Sequence, residues 1–466
     1  MWNRSTLFFF FLLFSMATKI NSKKINPLSF LTRSRPSSSL RPELLSPAGS
    51  FETLMAVIQG GADAIYFGVE QLNMRARAAN NFTLKDLSKI SKICQKHNIK
   101  SYLALNTILY DHDLPLMKKI CDAAKLYHIN AIIASDHAAI QYAHTIGLPV
   151  HISTQCNVSN IDTIRWYAPF ADTIVLAREL TLQQIDHITK QIKAQNICGP
   201  NGNLIKIELF IHGALCVAIS GKCYMSLATY NASANRGACL QNCRREYRVI
   251  DEETGDELKI DNKYIMSPKD LCTIGFLDKL LDAGVSVFKI EGRAKGPEYA
   301  YTVTKAYRDA IDSYYTNTYT PEKIKQWTAQ LETVYNRGFW QAGYYLGKQL
   351  GEWSGAYGSQ ATSEKVNIGF VQNYFPKVKI VQIKLDANSL NLNDTILITG
   401  PTTGIIETKV NSIVCNNQSL QSAPKNSSIT TTLIQKVRKN DRVYKILSRL
   451  SSLKSQNPTS PPTCPK

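Results

Sequence analysis

The 466-residue sequence has no internal run of the ~18 apolar residues that a membrane-spanning helix needs, which excludes a polytopic membrane protein. No Gly-x-Gly-x-x-Gly follows a strand-like run, so a dinucleotide site has weak support. There is no His-Glu-x-x-His metal motif and no Ser/His/Asp order of a hydrolytic triad. Acids are scarce: 36 Asp and Glu stand against 54 Lys and Arg, a formal net charge of +18. The remaining composition is ordinary, with 44% hydrophobic and 19% charged residues, enough apolar material for a core. Disorder throughout, collagen and a disulfide knottin are excluded. At roughly 150 residues per domain the length suggests two or three domains, although an α/β barrel uses about 250 in one.

The basic excess is uneven. Residues 1–41 hold seven bases and no acid, and setting them aside leaves 47 bases against 36 acids. Residues 436–466 add eight bases against the single acid Asp441. A basic body and tail suit a polyanion such as RNA, and on charge alone a solvated basic surface fits as well. Met1–Arg4 is a short basic segment, Leu7–Phe14 an apolar run, and Ser15-Met16-Ala17 a set of small residues for cleavage, as in a secretory signal. Residues 18–42 are rich in Ser, Lys and Arg, as transit peptides are. Residues 1–42 therefore read as a targeting segment, suited to a plastid-type compartment with extra membranes. The rival is a mis-called start or an uncleaved bacterial leader on a cytoplasmic protein. No stable membrane insertion is expected after leader removal.

From Glu43 apolar β-rich runs alternate with amphipathic ones. Strands are expected at Glu43–Ser46, Ala64–Phe67, Lys100–Leu105, Ala131–Ala134, Val150–Ser153, Thr173–Leu176, Lys206–Ile211 and Val285–Ile290, with helical patterns such as Leu84–His97, Leu114–His128 and Leu182–Ile192 between them. Unbroken apolar strands separated by helices mean a parallel sheet covered on both faces. Eight over ~250 residues match a (β/α)8, TIM-barrel-like domain, 43–320, with a doubly wound sheet as the alternative. The alternation breaks at residues 214–266, a Cys-rich insertion with an expected hairpin, Tyr247–Ile250 and Leu258–Ile260. After a helical pattern at Glu298–Tyr315 comes a connector, 321–364. Short alternating strands over 365–448 then predict a small C-terminal all-β barrel, and 449–466 read as a disordered tail.

Of eleven cysteines, four crowd the insertion: Cys216, Cys223, Cys239 and Cys243, spaced C-x6-C-x15-C-x3-C. Four thiolates in one insertion can hold an iron–sulfur cluster or a structural zinc. Neither half has the C-x2-C knuckle of zinc ribbons, so the spacing favours a cluster, with unrelated free thiols as the bland reading. Gly213, Gly221 and Gly237 let backbone approach an inorganic core, and Lys222, Arg236, Arg244 and Arg245 offset its charge. Cys94 and Cys121 sit in helical patterns and read as small buried hydrophobes.

At the end of the seventh strand His212 is a candidate acid or base, and Glu208 on the same strand is a second candidate or only a buried partner. The eighth strand ends Lys289-Ile290-Glu291-Gly292-Arg293. Lys289 and Arg293 can bind carboxylate or phosphate, with Glu291 fixing them. Arg178 after the sixth strand, and Arg75 and Arg77 after the second, extend an anion-ready rim. Salt-bridged loop ends are the bland alternative for each singly.

Glu208–Ser226 (ELFIHGALCVAISGKCYMS) resembles the signature of the collagenase-like peptidases, family thirty-two of the unknown-type peptidases. Glu43–Gly49, Gly61–Gly68, Asn235–Arg244 and Lys289–Arg293 support it, so the resemblance spans about 43–448. It implies oxygen-independent RNA hydroxylation: 5-hydroxyuridine at the tRNA wobble position with prephenate as co-substrate, or 5-hydroxycytidine in 23S rRNA. It also implies a four-iron four-sulfur cluster on Cys216, Cys223, Cys239 and Cys243. The length is similar to the tRNA type, while Leu105–Asp111 and Cys216–Cys243 resemble the rRNA type. A peptidase using Cys216 with His212 and a non-catalytic, cluster-bearing scaffold serving a partner protein are the competing readings.

Overall fold

The computed structural model describes residues 41–77, 81–258, 264–341, 343–347, 352–355 and 358–449. Residues 1–40 of the expected leader, the tail after 449 and the expected hairpin positions Lys259 and Ile260 lie outside these. Among the described residues no helix is long and apolar enough to cross a membrane.

Eight parallel strands form the body: β1 (Glu43–Pro47), β2 (Ala64–Phe67), β3 (Lys100–Leu105), β4 (Ala131–Ala134), β5 (Val150–Ile152), β6 (Thr173–Val175), β7 (Lys206–Gly213) and β8 (Val287–Ile290). Each pairs with the next, and β8 pairs with both β7 and β1, so the sheet closes into a barrel. Closure puts Lys289 opposite Leu45 on one side and Phe210 on the other. A doubly wound sheet is thereby ruled out.

The helices alternate with the strands: α1 (Phe51–Gln59), α2 (Leu87–Lys96), α3 (Leu114–Leu126), α4 (His137–Thr145), α5 (Ile161–Tyr167), α6 (Leu182–Ala194), α7 (Leu277–Asp282) and α8 (Pro297–Tyr315). Ser50, Asp136, Asn160 and Thr181 each accept a backbone N–H at a helix start, satisfying donors the first turn leaves unpaired. In α3 the buried Met117, Ile120, Cys121 and Ala124 make a single apolar stripe against the barrel. Cys94 and Cys121 are core residues, their thiols pushed up to about 12 by burial.

Inside the barrel Leu45, Ala64, Tyr66, Tyr102, Ala131, Ile133 and Val287 form an apolar plug. Three polar side chains interrupt it: His151, Glu208 and Lys289, all buried. Beyond β7 a strand at Asp270–Cys272 turns back antiparallel to the end of β7, and Phe339–Trp340 pairs with it in parallel. The segment after the eighth helix therefore adds a strand to the barrel sheet as well as connecting.

The C-terminal region is an antiparallel sheet built on β9 (Ser363–Phe375), β10 (Ile380–Leu385), β11 (Thr395–Gly400), β12 (Gly404–Lys409), β13 (Ser428–Thr432) and β14 (Arg442–Ser448), in the order β12-β11-β14-β9-β10-β13. It has its own core, including Ile368, Val381, Ile383, Ile396 and Val443. Bulges after Val371 and Asn367 bend the long β9. The sheet docks on α1: Ala56 packs with Leu397 and Ile405, and Gln59 donates to Thr403 O at 3.0 Å while accepting from Ile405 N at 2.9 Å.

Candidate functional site

A cavity of about 320 Å³ opens at the C-terminal ends of the barrel strands, under the insertion. That is the end where barrel strands deliver side chains into loops. Its charged wall comes from the end of β8 and from the loops after β2 and β6. Inward positions alternate along β8, so Lys289 and then Glu291 project into the cavity, with Arg293 just beyond. Arg75 Nη2 donates to Glu291 Oε1 at 2.7 Å, and Tyr66 OH donates to Ile290 O at 2.9 Å beside the same carboxylate. Burial would raise the Glu291 carboxyl, but Arg75, helped by Arg178 and Arg293, outweighs it and holds the group at about 2.

Asn73 is fully buried and ties two loops together. Its Oδ1 accepts from Arg293 Nη2 at 2.8 Å and from Arg75 N at 3.1 Å. Arg293 Nη1 lies buried against the Gly68 backbone with no hydrogen-bond partner among the described residues, and burial lowers the guanidinium to about 10. Arg178 stacks over Phe210 at 4.2 Å and its buried Nε is likewise unpartnered there. Buried donors normally find an acceptor, so two guanidinium groups on one cavity with unused N–H groups point to an anionic ligand.

All four insertion cysteines line this cavity, and all ten described cysteines are free thiols. Burial pushes the Cys243 thiol up to about 11, opposed by Arg244 and reinforced by the other three thiols; burial also raises Cys223. Among the described residues no three His, Cys, Asp or Glu side chains meet at one point. The four thiols line one cavity and lie near enough to raise the Cys243 thiol together. Four cysteine donors on one cavity are of the chemical type that holds a thiolate-bound inorganic centre.

Arg236 fixes the insertion over the cavity. It donates to Asp113 Oδ2 at 2.6 Å and stacks on Tyr110 at 3.8 Å, both in the loop after β3. Gly213 makes the turn out of β7 at φ +106°, where a Cβ would lie 2.5 Å from Glu291 O. Gly213→Ala is expected to cost about 1–3 kcal/mol, read as a lower urea midpoint. An unchanged midpoint would mean that the β7–β8 junction yields easily.

Arg75, Arg178, Lys289, Glu291 and Arg293 thus come together with the four cysteines. Three candidate residues do not. Arg77 is exposed outside the cavity, its backbone N–H reaching Gly237 O at 3.3 Å. Glu208 lies beneath the floor, completely buried, its Oε1 accepting from Lys289 Nζ at 2.6 Å and its Oε2 facing His151 Nδ1 at 3.7 Å. His212, expected at the end of β7 as a candidate acid or base, does not reach the cavity. The register slips between Lys289 and Ile290, so that one β7 residue bulges and His212 turns to the helical layer among Tyr299, Tyr307 and Phe339. Burial lowers its imidazole to about 3, which keeps it neutral and unsuited to proton exchange at the cavity.

Sequence reasoning missed a second charged group. Asp270, Lys295 and Arg337 line the cavity beside Arg244, with Arg337 Nη1 at 3.4 Å from Asp270 Oδ1. Burial, then Arg337 beside it, lowers the Lys295 ammonium to about 7. Lys295 continues the charged run of β8 two positions past Arg293, a readable signal. Arg337 comes from the connector, far from any barrel strand in sequence, and gave none.

The profile of peptidase family U32 matches residues 49–355. A Porphyromonas gingivalis protein named collagenase is 53% identical over 407 residues, covering 87% of this chain and 98% of that protein. A tRNA hydroxylation protein P1 of Bacillus subtilis is 29% identical over 82% of this chain and 88% of its own length. The 23S rRNA 5-hydroxycytidine synthase of Escherichia coli is 38% identical over 59% of this chain, but only 40% of that longer enzyme is covered. With the family profile matched along the barrel and its cavity, the chain belongs to peptidase family U32.

Proposed function

We propose that this chain is an oxygen-independent RNA hydroxylase, forming 5-hydroxyuridine at the tRNA wobble position, with prephenate as co-substrate and a four-iron four-sulfur cluster on Cys216, Cys223, Cys239 and Cys243. The observation that carries this reading is the convergence of four free thiols and an arginine-rich wall on one cavity. The cluster would supply one-electron chemistry that no side chain here offers. Arg75, Arg178 and Arg293 would hold the two carboxylates of prephenate, which match the planar fork of a guanidinium. Glu291 keeps Arg75 oriented until the anion arrives, and Asn73 does the same for Arg293. Lys289 supplies a further positive charge at the floor. The names of the Bacillus subtilis and Escherichia coli relatives support RNA as substrate, the second favouring 5-hydroxycytidine in rRNA as the alternative product.

The name collagenase on the 53% identical relative favours a peptidase. A thiol peptidase needs a base beside its nucleophile. Cys216 lies on the cavity, whereas His212 lies in the helical layer and stays neutral. The Cys216–His212 pair is therefore not assembled.

The test is anaerobic purification with iron and sulfide analysis, followed by nucleoside mass spectrometry of tRNA and rRNA from cells with and without the protein. About four irons and four sulfides per chain are expected, lost on Cys→Ser at any of the four positions. One zinc, or a metal-free protein that cleaves gelatin, would overturn the reading.

A further inference from the structure

The mouth of the cavity carries an unusual surface. Residues 214–245 include Lys222, Arg236, Arg244 and Arg245 and no acid; acids begin only at Glu246. On this acid-free segment large apolar groups stand in solvent: Tyr224 is 72% exposed and Ile219 54%, with Tyr230 also exposed. Tyr110, in the loop after β3, is also exposed and is tied to this segment by Arg236. Large exposed apolar groups on one short segment mark binding surfaces. Ile219 and Cys223 line the cavity itself, so Tyr224 sits at its lip.

Two of the rings already carry a guanidinium. Arg236 lies over Tyr110 at 3.8 Å and Arg245 over Tyr230 at 5.2 Å. Of the nearby acids, Asp113 is occupied by Arg236, and Asp111 is exposed. Arg77, outside the cavity, is brought to the same rim by its backbone bond to Gly237. Tyrosines interleaved with arginines, on a segment that itself carries no carboxylate, are the chemistry that stacks bases and neutralises phosphates. A cavity of about 320 Å³ takes a ligand of small-molecule size, so the rest of any polymer must lie on the rim.

We infer that the rim formed by Tyr224, Tyr230 and Tyr110 is a stacking platform for unpaired bases of an RNA strand, with Arg77 and Lys222 contacting its phosphates. This deepens the RNA reading above and rests on it. The strand is single because the faces of bases in an A-form duplex are already stacked. The platform sets the path by which one nucleoside reaches the cavity.

The test uses the full chain and fluorescence anisotropy with a labelled oligouridylate of about twelve nucleotides and a duplex RNA of equal length, a span within the ordinary site sizes of single-strand binders. Tyr224→Ala is expected to weaken oligouridylate binding roughly tenfold or more, and Tyr224→Phe to leave it near the wild-type value. Arg77→Ala and Lys222→Ala should each lower the slope of log affinity against log salt by about one. Unchanged thermal midpoints and unchanged iron and sulfide content would show that the variants keep their fold and loading. Wild-type affinity in Tyr224→Ala, equal tyrosine-independent binding of duplex, or binding of gelatin peptides alone would overturn the platform. Tyrosine-dependent binding in a protein that modifies no RNA would uphold the platform and sink the hydroxylase. Hydroxylation that ignores the tyrosines would do the reverse.

Discussion

Replacing Lys289 by methionine is expected to lower the unfolding free energy by about 3–5 kcal/mol. The side chain stands inside the barrel with 4% of its surface exposed, 2.6 Å from Glu208 Oε1 and over the rings of Tyr66 and Phe210. Burial alone would raise the Glu208 carboxyl, but Lys289, followed by His151, outweighs it and holds the pKa below its usual value. Without the ammonium, a carboxylate with no solvent contact keeps only the distant His151. Two ions in a low-dielectric interior compensate each other, and one alone does not. The sign with pH follows. In the variant burial favours protonated Glu208, so the cost should be greatest at high pH and shrink on acidification. The double variant Lys289→Met, Glu208→Leu should recover most of the loss, because it removes both charges. Urea denaturation of the wild type, the single variants Lys289→Met and Glu208→Leu, and the double variant closes the cycle. A single-variant cost below about 1 kcal/mol, the scale of an exposed ion pair, would show that Lys289 is free to leave Glu208 and turn into the cavity.

The same interior shows what the sequence could and could not disclose. All eight barrel strands are legible, because parallel strands covered on both faces are nearly continuous apolar runs and need no partner information to be seen. The charged run Lys289-Ile290-Glu291-Gly292-Arg293 is legible for a similar reason: period-two alternation puts Lys289 and Glu291 on one face. The four cysteines were conspicuous by crowding alone. His212 was misjudged because a one-residue bulge reverses the face of every later position, and a bulge leaves no mark in composition. Asn73 reads as an ordinary loop polar residue. Only the folded loops reveal that it accepts from both Arg293 and Arg75. Arg337 and Asp270 meet across 67 positions, a pairing set by the strand at Phe339–Trp340 joining the barrel sheet. Local pattern reasoning reaches elements and faces; it does not reach contacts that depend on closure and register.

Glu291→Gln separates the electrostatic role of the arginine wall from its shape. The glutamine keeps the size and one acceptor but removes the charge that Arg75 meets at 2.7 Å. The native carboxyl is held at about 2 against an ordinary 4.5. At ~1.36 kcal/mol per unit that depression is worth on the order of 3 kcal/mol of folding free energy. A depressed folded pKa contributes stability that is full above the unfolded value and disappears as pH falls through the folded one. The difference between wild type and Glu291→Gln should therefore be complete at neutral pH, decline from about pH 4.5 and vanish near pH 2. The unused N–H groups of Arg178 and Arg293 have a second consequence. With Glu291 neutral, Arg75, Arg178 and Arg293 lose the carboxylate that they act on, so prephenate or sulfate should raise the thermal midpoint of the variant more than that of the wild type. Thermal midpoints from pH 2 to pH 8, with and without each anion, measure both effects. A stability difference that grows on acidification would mean that Glu291 is not held ionised by the arginines. An anion response equal in the two proteins would mean that the wall does not bind anions through those guanidinium groups, and the carboxylate-binding role assigned to them would fall with it.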